Sequence, residues 1–129
     1  VELDLGEQVD MIGFSEDARN LYPTFDVYLL PSRLEAFPVT IQEALQAGVP
    51  VVAAEVGSVR GAVDDGETGG VVPGGGVDAT AAAVRRLHDD PGLRARMGRR
   101  ARKVGLERFD MDAGVAAWEA LYRELVAGG

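Results

Sequence analysis

Residues 31 to 50 read Pro-Ser-Arg-Leu-Glu-Ala-Phe-Pro-Val-Thr-Ile-Gln-Glu-Ala-Leu-Gln-Ala-Gly-Val-Pro, and this stretch contains a loop, the start of a helix and its end. Pro38 suits a first helical turn, and Gly48 followed by Pro50 ends a helix. Short apolar runs flank the stretch, from 27 to 30 before it and from 51 to 54 after it. The order strand, loop, helix and strand predicts a βαβ unit with two parallel strands.

The predicted helix begins just beyond the carboxyl end of a buried parallel strand, where open α/β sheets bind ligands. Its first backbone N–H groups lack partners within the helix and favour an anion such as a phosphate. Thr40 and Glu43 share one side of this helix, and Glu35 lies in the loop before it. Because a carboxylate repels a phosphate, its expected target is a neutral polyol such as ribose or a hexose. A solvated surface acid is the ordinary alternative for each carboxylate.

The length and composition of the chain exclude several classes of function. The 129 residues favour a single domain, 1–129, that can bury a core. The net charge of -8 argues against nucleic acid as a partner, since the 13 Lys and Arg are too few and too scattered for a binding stripe. The chain has no cysteine, so disulfides and thiolate metal sites are excluded and a cytoplasmic location is expected. No apolar run approaches membrane-spanning length, and no signal peptide is expected.

Further strands and helices are expected around the βαβ unit. A strand is predicted near 9–14, followed by a helix that Ser15 caps, and the run that begins at Asp26 is predicted to be the central strand. Asp65-Gly66 indicates a hairpin or tight turn before a strand at 70–72. Three later helices are predicted to begin at Asp78, at Asp90-Pro91 and at Asp110 or Asp112. The pattern predicts an α/β, doubly wound parallel sheet of four strands with C-terminal helices.

Glu35-Ala36-Phe37-Pro38, continued to Glu43-Ala44, resembles the Glu-x7-Glu signature of the retaining, GT-B-fold glycosyltransferases of the large group-one family. The similarity extends in order along nearly the whole chain, through Gly13-Phe14, Asp26 to Ser32, Ala47 to Val52, Gly57, Asp65 to Gly69 and Glu107-Arg108-Phe109. It implies a Rossmann-like donor-binding domain. In the family, two further β-α units with diphosphate-gripping Arg and Lys, and before them an acceptor-binding domain, precede the Gly-Phe strand. We therefore expect an amino-terminally truncated part of the GT-B C-terminal domain.

The resemblance also implies the activity and the site. The parent enzyme would transfer a hexose from a nucleoside diphosphate sugar to an acceptor, with no cofactor and no metal, while this chain alone would be inactive. Glu43 would hold the ribose hydroxyls, and Glu35, the catalytic candidate, the donor-sugar hydroxyls. The remaining donor contacts are expected from the N–H groups of Phe37 and Val39, from Thr40, and from Gly13 and Ser32 beside the base or ribose.

Two departures from the family pattern bear on specificity. Ala36 stands where the family commonly has Gly, and Gly57-Ser58-Val59-Arg60-Gly61 stands where it has Gly-Gly-x-Pro-Glu. An added Cβ disfavours positive φ and fills space, so a retained nucleotide site with altered sugar specificity is expected. Two other functions remain open. One is a non-catalytic nucleotide- or sugar-binding module, and the other is a GT-B-type sugar-nucleotide epimerase.

The last predicted helix carries a wide apolar stripe, formed by Val115, Trp118, Leu121, Tyr122 and Leu125. In the family this helix often crosses to the amino-terminal domain. Without that domain, we expect the stripe to pack on the sheet or on a second copy of the chain, which would give a homodimer. The full-length enzyme would be cytoplasmic, with peripheral membrane association as an alternative.

Overall fold

Three short parallel strands form the sheet of the computed structural model, which describes residues 5–128. The strands are β1 (Tyr28–Leu30), β2 (Val51–Ala54) and β3 (Gly69–Val72), in the order β1-β2-β3. Tyr28 pairs with Val51, and Val51 pairs with Gly69. All three strands therefore point the same way, and their carboxyl ends meet at one edge of the sheet.

Five α-helices follow or separate the strands in this part of the chain. They are α1 (Val39–Ala47), α2 (Val59–Ala62), α3 (Val77–Asp89), α4 (Pro91–Arg108) and α5 (Met111–Ala127). Single-turn 3₁₀ helices lie at Ala18–Asn20, Tyr22–Thr24 and Pro73–Gly75.

Helix α1 forms where the sequence predicted it. Ile41, Ala44 and Leu45 are buried on one face, as the spacing of apolar residues in a helix requires. Gly48 ends the helix with a φ of 82°, a left-handed conformation that glycine adopts without steric cost, and its N–H donates to the carbonyls of Ala44 and Leu45. The predicted helix end at Gly48 is confirmed.

Helices cover both faces of the sheet, which confirms the doubly wound α/β prediction. Val51 and Ala53 of β2 pack in one core cluster with Ile41 and Leu45 of α1. The intervening Val52 points to the other face, where it packs with α3 and the first half of α4. Because β2 is buried on both faces, it has no polar residue.

Helix α4 approaches α1 closely because two glycines of α4 face the carboxyl end of α1. A Cβ on Gly105 would lie 2.6 Å from the backbone nitrogen of Gln46, and a Cβ on Gly98 would lie 2.6 Å from the carbonyl oxygen of Gly48. Arg102 donates from Nη1 to the Gln46 carbonyl at 3.0 Å, and the Gln46 side chain donates to the Phe109 carbonyl at 2.7 Å. These contacts hold the carboxyl end of α1 against α4.

The predicted strand near 9–14 is wrong. These residues form no strand and are exposed, and the outer edge of β1 has no partner strand within residues 5–128. The run after Asp26 forms β1 at the edge of the described sheet, and β2 is the central strand. Ser15 caps no α-helix. Its Oγ accepts from the Asp17 N–H at 3.2 Å, ahead of the first 3₁₀ helix.

The helices and the turn after β2 agree more closely with the predictions made from the sequence. Asp90 caps α4 by accepting from the Leu93 N–H at 2.8 Å, and Asp110 caps α5 in the same way. Asp78 does not cap α3, because that helix begins one residue earlier and Asp78 lies inside its first turn. The Asp65-Gly66 turn leads into the parallel strand β3, so it is a tight turn and not a hairpin.

Helix α5 has no buried residue, and its apolar stripe faces solvent. Trp118 is 62% exposed and Tyr122 is 61% exposed. The prediction that this stripe packs on the sheet is therefore wrong, since other helices already cover both faces of the sheet. Among the described residues, no helix combines the length and apolarity needed to cross a membrane.

Candidate functional site

Two loops meet at the carboxyl ends of the strands. One follows β1 and contains residues 31–38, and the other follows β2 and contains residues 55–58. The Ser58 N–H donates to the carbonyl of Ala36 at 3.2 Å, and the Ser58 hydroxyl donates to the same oxygen. The loop that carries Glu35 is therefore fixed by the neighbouring loop.

Gly57 allows this close approach of the loops. Its φ is 52°, and a Cβ built on it would lie 1.8 Å from the carbonyl oxygen of Glu35 and 3.3 Å from that of Ala36. No side chain can occupy that space unless the Glu35 backbone moves. The geometry of residues 35 and 36 therefore depends on a glycine at 57.

The start of α1 lies beside these loops and is open. Its N-cap is Pro38, and no side chain caps it, whereas Asp90 and Asp110 cap α4 and α5. The first-turn N–H groups of a helix have no intrahelical partner and carry a partial positive charge. Val39 is 55% exposed and Thr40 is also exposed, so an anion can reach this helix start.

Glu43 lies one turn further along α1 and is already paired. Nε of Arg19 donates to Glu43 Oε1 at 2.7 Å, and the Glu43 side chain is 19% exposed. Tyr22 is buried behind the carboxylate. Burial and its hydrogen bond to Glu43 raise the pKa of the Tyr22 hydroxyl above its ordinary value, so the hydroxyl remains a proton donor. The sequence analysis missed Arg19 and Tyr22.

The structure brings most of the predicted site residues to one edge of the sheet. Those on the loop after β1 and on α1 are Ser32, Glu35, Phe37, Val39, Thr40 and Glu43. Phe37 is half exposed, and its ring meets that of Phe109 edge-on at 6.2 Å between centroids. Gly13 is not brought to this group. It lies in the exposed stretch 9–14, and a Cβ on it would meet no atom within 4 Å.

The loop after β2 balances its own charge. Arg60 binds the Glu55 carboxylate with two nitrogens, and this hydrogen bonding holds the pKa of Glu55 below its usual value. Gly61 replaces the acid of the family pattern, and the neighbouring Arg60–Glu55 pair adds no net charge. Residues 5–128 contain no group of three or more His, Cys, Asp or Glu side chains that could hold a metal ion.

Comparisons with known proteins identify the family of the chain. The family model described as glycosyl transferases group 1 matches residues 1–104. A D-inositol 3-phosphate glycosyltransferase from Streptomyces bingchenggensis is 38% identical over 113 residues, which are 88% of this chain and 25% of the relative.

Two solved structures share the fold. The sucrose-phosphate synthase from Thermosynechococcus elongatus superposes with a TM-score of 0.90 at 30% identity, over 98% of this chain and 32% of that one. Anabaena Alr3699/HepE, solved in complex with UDP, superposes with a TM-score of 0.83 at 26% identity, over 97% of this chain and 34% of that one. The chain thus spans about a quarter to a third of the length of these proteins.

Proposed function

We propose, from the premise that the chain belongs to the glycosyl transferases group 1 family, that it is the nucleotide-sugar-binding portion of a retaining glycosyltransferase. The observation that carries the proposal is the uncapped start of α1 at the carboxyl edge of the sheet, with Glu35 before it and Glu43 one turn after it. We propose that residues 1–129 form part of one such domain, within an enzyme that transfers a hexose to an acceptor.

Each group has a role that its chemistry suits. The N–H groups of Phe37 and Val39 and the hydroxyl of Thr40 bind the donor diphosphate, since they lie at the open helix start. Glu43 accepts hydrogen bonds from the ribose hydroxyls, and Glu35 from those of the donor sugar. Charge-assisted bonds of this kind are stronger than neutral ones, so the two carboxylates select for polyols.

Gly13 and Ser32 complete the proposed donor site beside the base or ribose. Ser32 lies directly after β1, in the loop that leads to Glu35. Gly13 lies apart from that group, so its role requires the exposed stretch 9–14 to reach the nucleotide. We assign Glu35 as the catalytic candidate because its carboxylate is the one expected beside the donor sugar.

The chain alone is expected to bind the nucleotide weakly and to transfer no sugar. Holding donor and acceptor in one closed cleft supplies about 7 to 11 kcal/mol of a reaction barrier, and that cleft needs an acceptor-binding wall. A helix start favours an anion by only about 0.3 to 2 kcal/mol, too little to replace cations on a departing diphosphate. We therefore propose that transfer requires a preceding acceptor-binding domain of the longer enzyme.

Nucleotide titration by NMR, run beside radiolabelled transfer, tests this function. UDP, GDP, ADP and their hexose conjugates are titrated into the chain, and the same nucleotide sugars are offered with water and simple acceptors. We expect weak binding of one nucleotide, shifts concentrated at the start of α1, and no turnover. Binding of no nucleotide would contradict the proposed site. Turnover above the uncatalysed rate would show that the catalytic groups lie within this chain, with Glu35 as the first to examine.

The exposed stripe on α5 supports a proposal about partners. Trp118 and Val115 border a groove of about 600 Å³ whose other wall includes Phe37 and Phe109. A second copy that covers this face would bury the stripe, so we propose a homodimer through α5 for the isolated chain. Light scattering is expected to give the mass of a dimer, with Trp118 fluorescence shifting to the blue as concentration rises. A monomer with solvent-exposed Trp118 at all concentrations would contradict it.

The same proposal includes metal-independent transfer and a cytoplasmic location. Peripheral membrane association of the full-length enzyme is the alternative location. The resemblance to the group-one enzymes supports the first, and the lack of cysteine supports the second. Nucleotide affinity that is unchanged by EDTA and by added Mg²⁺ or Mn²⁺ is the expected result. Affinity that falls on chelation would contradict metal-independent binding.

A further inference from the structure

We propose that Arg19 is a positioning residue of the nucleotide site, which holds the Glu43 carboxylate in the orientation that receives the ribose hydroxyls. This inference rests on the function proposed above. It assigns a role to a residue outside the βαβ unit, in the first 3₁₀ helix, which no part of the sequence pattern indicated.

The contact geometry supports this role. A carboxylate offers about four acceptor positions, two on each oxygen. Arg19 Nε occupies one of these positions, on Glu43 Oε1, at 2.7 Å. This donor restricts the orientation of the carboxylate and leaves about three acceptor positions, enough for a vicinal diol. A glutamate without this donor would have to be ordered by the ligand itself.

The fold holds Arg19 at this position. Tyr22 is 6% exposed and belongs to the core cluster that contains Ile41 and Leu45 of α1. Its ring also packs edge-on against that of Phe25, at 5.8 Å between centroids. The second 3₁₀ helix is therefore anchored on α1, and Arg19 lies in the turn just before it, three residues from Tyr22.

The positive charge of Arg19 also favours nucleotide binding. The proposed ligand carries a diphosphate, and the acids Glu35 and Glu43 flank its site. The guanidinium of Arg19 compensates the charge of Glu43, which reduces repulsion of the diphosphate. Its side chain is 74% exposed, and within residues 5–128 only Nε donates to a protein acceptor, so Nη1 and Nη2 face solvent. Arg19 can therefore keep its bond to Glu43 while a nucleotide approaches.

A double-mutant cycle tests the assignment. Arg19→Gln, Glu43→Gln and the double variant are titrated by NMR with UDP, GDP and ADP, and then with the 2′,3′-dideoxy analogues, which lack the ribose hydroxyls. An exposed ion pair of this kind predicts that Arg19→Gln weakens binding about two- to fivefold. The loss should be smaller for the dideoxy analogues, which retain only the charge effect on the diphosphate, and should also be smaller when Glu43 is already Gln.

Arg123→Gln is the matched control, because Arg123 forms an exposed pair with Glu119 at 2.8 Å on α5. It should leave every affinity unchanged. Arg19→Lys keeps the charge and should bind with an affinity between those of the wild type and Arg19→Gln. Arg19→Lys also serves as the second variant if Arg19→Gln unfolds. In that case, a nucleotide affinity of Arg19→Lys equal to that of the wild type, or no binding by Arg19→Lys, counts against the role.

The possible failures are distinguishable. A wild type that binds none of the nucleotides contradicts the proposed function and this inference with it. A wild type that binds, together with an unchanged Arg19→Gln variant, overturns only this inference. Tighter binding by Arg19→Gln would show that Arg19 competes with the ligand for Glu43. An equal loss for the dideoxy analogues would show that Arg19 does not act through the ribose hydroxyls.

Discussion

Substitution of Gly57 by alanine should displace the loop that carries Glu35. The added Cβ would lie 1.8 Å from the Glu35 carbonyl oxygen, far inside van der Waals contact, and the contact is with backbone that has no rotamer to change. The loop must therefore move. The two hydrogen bonds from Ser58 to the Ala36 carbonyl would be lost or weakened with that movement.

The expected decrease in the free energy of unfolding of Gly57→Ala has two parts. A left-handed φ costs a residue with a Cβ about 1 to 2 kcal/mol, and loss of two hydrogen bonds adds about 1 kcal/mol each. Gly57→Ala should therefore lower the free energy of unfolding by about 3 to 4 kcal/mol. Gly66→Ala is a matched control, since Gly66 has a φ of 80° and nothing within 4 Å of its added Cβ. It should lose only the φ cost, about 1 to 2 kcal/mol.

Urea unfolding gives the free energies, and titration with a nucleotide and its hexose conjugate gives the effect on the site. Gly57→Ala should reduce the affinity gained from the sugar, because the Glu35 loop has moved, while Gly66→Ala should leave that gain unchanged. Equal destabilisation by the two substitutions would refute the steric argument. Unchanged sugar affinity in a destabilised Gly57→Ala protein would refute the link between this loop and the sugar.

Three further predictions concern single side chains. Glu43→Gln should weaken nucleotide binding about tenfold by calorimetry without unfolding the domain, since the carboxylate can accept two charge-assisted bonds. Unchanged affinity for every nucleoside diphosphate would contradict its role. Asp90→Ala should lower stability in urea by about 1 kcal/mol through loss of the α4 cap, and the neighbouring exposed Asp89→Ala should not. Because the folded pKa of Tyr22 is raised, stability is fully present below the unfolded value of about 10 and declines as pH rises above it. Tyr22→Phe should show a smaller alkaline decline in urea titrations, and an equal decline would show that Tyr22 does not cause it.

The sequence was sufficient to predict the βαβ unit and the family. The helix start and the helix end at Gly48 depend on local preferences, and both are confirmed. The resemblance to group-one glycosyltransferases is confirmed by the family match over residues 1–104. Caps by Asp90 and Asp110 were also predictable, because each acts only three residues along the chain.

The errors arose where structure depends on distant partners. Residues 9–14 have the composition of a strand, but a strand forms only beside another strand. The stripe on α5 has the periodicity of a buried face, and periodicity does not show what covers it. Arg19 and Glu43 are 24 residues apart, and neither residue indicates the other in the sequence. The assignments of Glu35, Thr40 and the other donor-site residues stay predictions.

The glycine contact between α1 and α4 has a mechanical consequence. At Gly98 and Gly105 the backbone of α4 contacts the backbone at the carboxyl end of α1, with no side chain between them. A displacement of the carboxyl end of α1 is therefore expected to displace α4, which is one continuous helix of 18 residues. The carboxyl end of α4 is tied by Arg108 to Asp64, ahead of β3, and leads directly into α5. A displacement of α1 is thus expected to reach the Arg108–Asp64 ion pair and the start of α5 through α4.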